Sequence, residues 1–218
     1  MSRRIKSSLL LVFIASLFIV GLLLSFSPFI RDWFIGQNTL RHFEEFVEMP
    51  IERPQLEIND WNAIAEIERP SMGTVLQSIF SEPDGIVVGT ITIPALNLEL
   101  AIMDGLTNSH LLSGAATLYP NQPMGNGNYV LFGHHLQNES LLFGPILQLE
   151  ADMDIYVSDK WYIYQYRVDK TAIVSERDTH HTSNTLEPLL TLFTCDVSGP
   201  TDQRFMAKAS LIQMSPIE

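Results

Sequence analysis

Between Leu9 and Phe26 the chain reads LLLVFIASLFIVGLLLSF without a charged residue, and the apolar tract continues through SPFI before Arg31. Roughly 20 apolar residues rising 1.5 Å each match a hydrocarbon core of about 30 Å. A secretory signal peptide has a shorter apolar region and a small-x-small cleavage site. Here the exit, SFSPFIRDWF, is bulky and lacks that pattern. The tract therefore reads as an uncleaved signal anchor, with a cleaved signal peptide as the alternative. Arg3, Arg4 and Lys6 precede it and only Arg31 follows closely. The positive-inside rule places the N-terminus in the cytoplasm and the remaining chain outside. Trp33 and Phe34 suit the outer interface, where aromatic rings settle at headgroup depth.

Charge and cysteine usage narrow what the exterior part does. The chain has 13 Lys+Arg and 25 Asp+Glu, a formal charge of −12. The first 31 residues hold four of the basic residues and no acid, so the rest carries nine against 25, or −16. Phosphate backbones and anionic lipid surfaces require basic patches, so nucleic acid and adsorption on such a surface are excluded as partners. The single cysteine, Cys195, rules out an intramolecular disulfide. An exterior domain of about 140 residues is large enough to stand on its core alone.

The pattern changes twice along the chain. In QNTLRHFEEFVEMP, Leu40, Phe43, Phe46 and Val47 fall at helical spacing and Pro50 ends the run. In NDWNAIAEIERPSMGTVLQSIF, Asn59 or Asp60 is a capping candidate, Trp61, Ile64 and Ile67 follow, and Pro70 breaks the run. Residues 31–80 thus read as a juxtamembrane stalk of short amphipathic helices. It is either a spacer or an appendage that packs on the domain or gates it. From Ser81 the period becomes two. GIVVGTITIPALNLELAIMDG, GNYVLFGHH, MDIYVSDKWYIYQYRVDKTAIV, LLTLFTCDV and RFMAKASLIQM give seven or eight short strands separated by Gly, Pro, Asn and Asp turns. That pattern indicates an all-β barrel or sandwich. NSHLLSGAATLYP and NESLLFGPILQL read as short helical connections, with Asn138 or Ser140 capping the second.

Residues able to do chemistry sit at strand ends. A nucleophilic cysteine needs a lowered pKa, a partner acid or base, and a donor for the developing oxyanion. Cys195 ends one strand, His134 and His135 end another in LFGHHLQ, and Arg204 starts a third in TDQRF. At one rim of a barrel, side chains distant in sequence can meet. Adjacent strand residues point to opposite faces, so only one of His134 and His135 should face the thiol. Taken singly, each of these residues has a plainer reading, as buried core, turn residue or surface cation. A metal site built from Cys195, His134, His135, His180 and His181 is the rival. Neither doublet has the i, i+4 spacing of a helical site and there is no Cys-x-x-Cys, so no metal is assigned. His180 and His181, in RDTHHTSNT, read as solvated loop residues. Asp196, next to the cysteine, reads as a turn cap.

TLFTC, Thr191 to Cys195, resembles the Thr-Leu-x-Thr-Cys signature of the sortases. Gly133–His135 followed by SLLFGPI resembles their catalytic-histidine strand and the short helix after it. Arg204 lies nine residues beyond Cys195, where the family has an arginine on the next strand. The likeness covers residues 81–218 and the overall topology, and the N-terminal anchor and stalk look like class A, the housekeeping class. It implies an eight-stranded β-barrel with short connecting helices over 81–218, a cytoplasmic N-terminus over 1–8, a transmembrane anchor over 9–30 and the stalk over 31–80. It implies a cell-surface, single-pass cysteine transpeptidase that cleaves an LPXTG-type sorting signal between Thr and Gly. The acyl group then passes to an amine of a peptidoglycan precursor, lipid II. Cys195 would be the nucleophile and His134, the first His after Gly, the acid and base. Arg204 would hold the substrate carbonyl and its oxyanion, and Thr194 would shape the site and bind substrate. Some class A members bind calcium. Glu99, Asp104, Glu176 and Asp178 are candidates by type only, and no cofactor is assigned. A pilin-polymerising sortase is the alternative within the family, although SEPDGI lacks the aromatic of an Asp-Pro-aromatic lid and no apolar span lies in SLIQMSPIE. A simple cysteine peptidase and an anchored binding module remain alternatives outside it.

Overall fold

The computed structural model describes residues 3–48 and 85–217. The expected stalk features between 49 and 80, including the Trp61, Ile64 and Ile67 stripe and the Pro50 and Pro70 breaks, lie outside the described residues.

Eight strands close into a barrel, as the alternating runs and the family resemblance imply. β1 (Val87–Ile93) and β2 (Leu98–Met103) form a hairpin through a 3-10 turn over Pro94–Leu96. Asn97 closes that turn at φ 49°, a left-handed conformation that Asn tolerates better than most residues. A short helix, α2 (Asn108–Ser113), follows, and the Thr107 hydroxyl caps it by accepting from the His110 amide. β3 (Ala115–Thr117) then runs parallel to β2, and β4 (Asn128–Phe132) pairs antiparallel with β3. β5 (Asp154–Ser158) and the long β6 (Tyr162–Ser175) form a hairpin. β7 (Leu189–Cys195) returns parallel to β4, and β8 (Gln203–Pro216) fills the place between β7 and β6. Around the barrel the order is β1-β2-β3-β4-β7-β8-β6-β5, and β5 pairs with β1 to close it. Closure removes sheet edges where the strands run together, and the ends of β6 and β8 that pair only with each other extend beyond it.

The period-two pattern sorts the strands into two faces. Leu190 and Leu192 of β7, Tyr129 and Leu131 of β4, and Phe205 and Ala207 of β8 join the larger buried cluster with Ile91, Ile155 and Tyr166. Their alternates, Phe193, Val130 and Met206, join a second cluster with Met103, Leu106, Leu111 and Leu118. The second cluster also gathers Phe132, Ala172 and Val174 and includes Leu111 of α2, so it lies on the outer face. The rings of Phe132 and Phe193 stack there at 5.0 Å.

Two connections differ from their sequence reading. NSHLLSGAATLYP is half helix and half strand, because Gly114 ends α2 and Ala115–Thr117 pairs at once with β2. NESLLFGPILQL contains only a 3-10 turn, Gly144–Gln148, in keeping with the poor helix propensity of Gly and Pro. Asn138 does cap there, but it caps a turn: its side-chain oxygen accepts from the Ser140 amide (3.2 Å) and hydroxyl (2.7 Å).

The N-terminal segment is one helix, α1 (Arg3–Glu48), bent by 44° between Leu11–Leu22 and Ser25–Glu48. Pro28 lies four residues past Leu24, where a proline ring meets the i−4 carbonyl and removes its hydrogen bond. Among the described residues no single straight helix is long and apolar enough to cross a membrane, whereas the bent pair together meets that test by length and composition. The C-terminal part of α1 docks on the barrel. Ile35, Thr39, His42 and Phe46 form its buried face. Ile35 packs with Leu112, Leu136 and Leu142. The Asn38 amide donates to Ser113 Oγ (3.4 Å), and the Lys160 ammonium lies 4.4 Å from the centre of the Phe46 ring. The buried stripe is therefore displaced from the Leu40 and Val47 positions, which are about half exposed, at 49% and 60%.

Candidate active site

Strand register brings the three sequence candidates to adjoining strand ends. β4 runs parallel to β7 with Phe132 beside Phe193, and β7 runs antiparallel to β8 with Cys195 beside Arg204. Past the end of β4 the Gly133 amide still donates to the Phe193 carbonyl (3.1 Å), so the pairing runs on in register. Two residues beyond Phe132 and Phe193 stand His134 and Cys195. Residues paired across a sheet share a face, so Cys195 and Arg204 share the outer face with Phe193, and His134 stands just past the end of the neighbouring β4.

The thiol is partly exposed at the last position of β7. Thr194, one residue earlier, is 2% exposed and donates its hydroxyl to the Gly133 carbonyl (2.8 Å). That bond ties β7 to the β4 end just before the two histidines. Its counterpart at the far end of the same strand pair is Thr191, which donates to Asn128 Oδ1 (2.6 Å). The first and last threonines of the TLFTC motif are thus clasps between β7 and β4. Gly133 is required by space, since a Cβ there would meet the Phe143 ring.

His134 is 9% exposed, and its Nε2 is buried without a hydrogen-bond partner. Burial pushes its pKa down to about 4, because the charged imidazolium loses hydration that nothing replaces. In the free protein at neutral pH His134 is therefore a neutral imidazole, able to accept a proton. His135 is as buried and also touches the cysteine: its Nδ1 lies 3.0 Å from the Cys195 carbonyl oxygen. The expectation that one histidine alone would face Cys195 is thus incomplete. β4 ends at Phe132, and the chain carrying the histidines bends into a turn closed by the Phe143 amide on the His134 carbonyl (3.0 Å). Strict strand alternation no longer applies there.

Arg204 is held by partners that its spacing did not reveal. Its Nη2 donates to Glu176 Oε2 (2.8 Å), and its Nη1 donates to the carbonyls of Gln203 (2.9 Å) and Thr201 (3.3 Å). Three acceptors hold the guanidinium of a residue whose backbone pairs with Cys195 across β7 and β8. Glu176, considered by type for calcium, is the carboxylate partner of this arginine. Of the other acidic candidates, Glu99 sits exposed on β2 opposite Thr92, and Asp104 accepts from the Asn121 amide (2.8 Å). Asp104 is half buried, and that burial raises its pKa. Asp178 bonds His180 (2.8 Å). Among the described residues, the metal-ligating atoms that gather in threes are those of Asp178, His180 and His181, all within 4.8 Å of one another. Cys195 and the first histidine doublet are not part of that group. His180 and His181 lie on the 3-10 turn Thr179–Thr182, with Asp178 just before it, and Asn128 ties this segment to β4 by donating to the carbonyls of His181 and Ser183. Asp196 Oδ1 is buried and unpartnered, so this oxygen caps no turn.

Orphaned buried polar atoms are rare in folded proteins, yet His134 Nε2, His135 Nε2 and Asp196 Oδ1 cluster in the residues that flank Cys195. A thiol, an unpaired imidazole nitrogen and a fixed guanidinium at adjoining strand ends are the equipment of a cysteine enzyme acting on acyl groups. Known proteins agree with that class. The sortase domain family model matches residues 91–212. Sortase A of Listeria monocytogenes is 35% identical over 200 residues, covering 88% of this chain and 87% of the relative. Sortase A of Bacillus anthracis is 29% identical over 196 residues, covering 90% and 91%. The crystal structure of the Listeria monocytogenes sortase A matches with a TM-score of 0.59 and 37% identity, over 61% of this chain and 91% of that one. The chain belongs to the sortase family of cysteine transpeptidases.

Proposed function

We propose that this sortase is a class A, housekeeping enzyme, held in the cell membrane by α1 with its barrel outside the cell. Its substrates are surface proteins bearing an LPXTG-type sorting signal, and its acceptor is an amine of the peptidoglycan precursor lipid II. The observation that carries this reading is the gathering of His134, Cys195 and Arg204 at the adjoining ends of β4, β7 and β8. The sortase A relatives, aligned over nearly the whole chain, support the class. The apolar N-terminal tract and the basic residues before it support the topology.

The residues divide the work as follows. The neutral His134 takes the proton of the Cys195 thiol. The thiolate attacks the threonine carbonyl carbon of the Thr–Gly bond, and Arg204 faces the oxyanion that forms. When the C–N bond breaks, His134 returns the proton to the departing glycine amine, leaving the acyl group on Cys195 as a thioester. The incoming amine attacks that thioester, gives a proton to His134, and the thiol is regenerated. One proton shuttles through one imidazole, so a histidine that rests neutral suffices. Thr194 acts from behind, fixing the chain that carries the thiol.

The test uses the full chain in detergent with a fluorogenic Leu-Pro-x-Thr-Gly peptide and a panel of amine acceptors, with and without calcium. Cleavage should vanish in Cys195→Ala, and mass spectrometry should find an aminolysis product. Equal signals from wild type and Cys195→Ala would reject the enzyme reading. Hydrolysis with no gain from added amine would leave a peptidase in its place.

A further inference from the structure

Parallel strands carry evenly spaced ladder bonds. Between β4 and β7 the last main-chain bond runs from the Gly133 amide to the Phe193 carbonyl. A continued ladder would next bring the His135 amide to the Cys195 carbonyl. That carbonyl is met by the His135 side chain instead, through Nδ1 at 3.0 Å. A carbonyl oxygen only accepts, so Nδ1 carries the proton in this bond. The imidazole is 8% exposed, among residues that pack tightly: the Leu142 backbone bridges to His135, and Leu136 and Leu142 are buried against α1.

We propose that His135 is a positioning residue for the transpeptidation: its Nδ1–H donates to the carbonyl of Cys195 and fixes the peptide plane of the nucleophile. The side chain thereby replaces the ladder bond lost where β4 turns away. Without it, the nearest ties of the β7 end on this side would be those of Thr194 and Phe193 to Gly133. The thiol must meet the substrate carbonyl carbon and His134 at once, and misplacement of about 1 Å at a reacting group costs on the order of 10²-fold in rate. The role also explains why the two histidines are adjacent: His134 works through its side chain and His135 secures the main chain beneath it.

This inference rests on Cys195 being the nucleophile, and the experiments separate the two. Cys195→Ala tests the nucleophile alone. For His135, the paired variants are His135→Asn, whose amide can offer a donor near the Nδ1 position, and His135→Phe, which fills the space without one. In the peptide and amine assay, His135→Phe should lose about 10- to 100-fold in kcat with KM within about twofold, and His135→Asn should recover most of that loss. The shape of the pH–rate profile should persist in His135→Phe, because proton transfer belongs to His134. Wild-type kcat in His135→Phe overturns the proposal. So does loss of activity to the Cys195→Ala background in both variants, which would make His135 the proton carrier itself. Should His135→Phe fail to fold, nitrogen-15 spectra of histidine-labelled wild-type protein decide at neutral pH. The Nδ1–H tautomer of His135 supports the bond, and the Nε2–H tautomer rejects it.

Discussion

His134 rests without a charge because it is dry, and that has a consequence for stability as well as for chemistry. Its folded pKa of about 4 lies below the ordinary histidine value of 6.5. Between those two pH values the unfolded chain binds a proton that the folded chain refuses, so stability rises with pH across the window and falls as acid is added. The contribution is fully present above pH 6.5, and losing it by pH 4 costs about 3 kcal/mol. Urea unfolding of wild type and His134→Gln at pH 7 and pH 4 should show the variant losing about 3 kcal/mol less on acidification. An equal loss in both would mean that His134 titrates freely. Arg204 makes the complementary case. Arg204→Ala should lower kcat by about 10²–10³, the usual effect of removing an oxyanion donor. Glu176→Gln should cost less than about tenfold, because an exposed ion pair is worth under about 1 kcal/mol. Steady-state kinetics of both variants test the ranking, and a larger loss from Glu176→Gln would put the carboxylate rather than the guanidinium at the chemistry. At this scale the sequence pointed to the proposed reactive groups, because thiol, imidazole and guanidinium are distinctive at strand ends. It hid their partners. Glu176 is 28 residues from Arg204, and His135 reaches Cys195 across 60, so only the closed barrel brings them together.

Among the elements, α1 departs furthest from expectation. Spacing identified a helix at Leu40–Val47 correctly, because Leu, Phe and Val recur every three or four residues. The face it buries includes Thr39 and His42, which apolar patterning passes over. Thr39 is tolerated because its hydroxyl donates to the Ile35 carbonyl (2.9 Å). His42 is tolerated because burial, then the neighbouring Arg41, lowers its pKa and favours the neutral ring. The strands were easier to read, since each buries one face in the barrel and alternates accordingly. β3 is three residues long and follows α2 directly, too short for any pattern to register. The docked helix covers Leu136 and Leu142, which flank the turn that carries His135. Ile35→Asp should therefore detach the helix and loosen that turn. Truncating a buried isoleucine costs about 2–4 kcal/mol, and an unpaired carboxylate adds to it. Hydrogen exchange should show lost protection over 31–48 and around 134–142 while the interior strands stay protected. Unchanged exchange at 134–142 would mean that the helix docks without supporting the site.

At the scale of the whole molecule, the proposed topology turns on charge and on one thiol. Three basic residues stand before the apolar tract of α1 and only Arg31 follows it closely, the bias on which the proposed cytoplasmic N-terminus and exterior barrel rest. The bend at Leu22–Ser25 does not oppose this, since helices in membranes tolerate a proline where neighbouring groups take up the freed carbonyl. The chain also brings its own topological probe. Cys195 is the only cysteine, it is free, and it is partly exposed at the barrel rim. A small, charged methanethiosulfonate that cannot cross the bilayer will therefore modify it in intact cells if the barrel is outside. Cys195→Ala reports any background. Full labelling without permeabilisation is expected, together with loss of transpeptidase activity in the same samples, because the labelled sulfur is the proposed nucleophile. Exchanging Arg3, Arg4 and Lys6 for glutamate should reduce labelling of intact cells, as the bias that orients the span is removed. Labelling that appears only after the membrane is breached would place the barrel in the cytoplasm. It would then have neither a sorting signal at the cell surface nor a cell-wall amine to join to it.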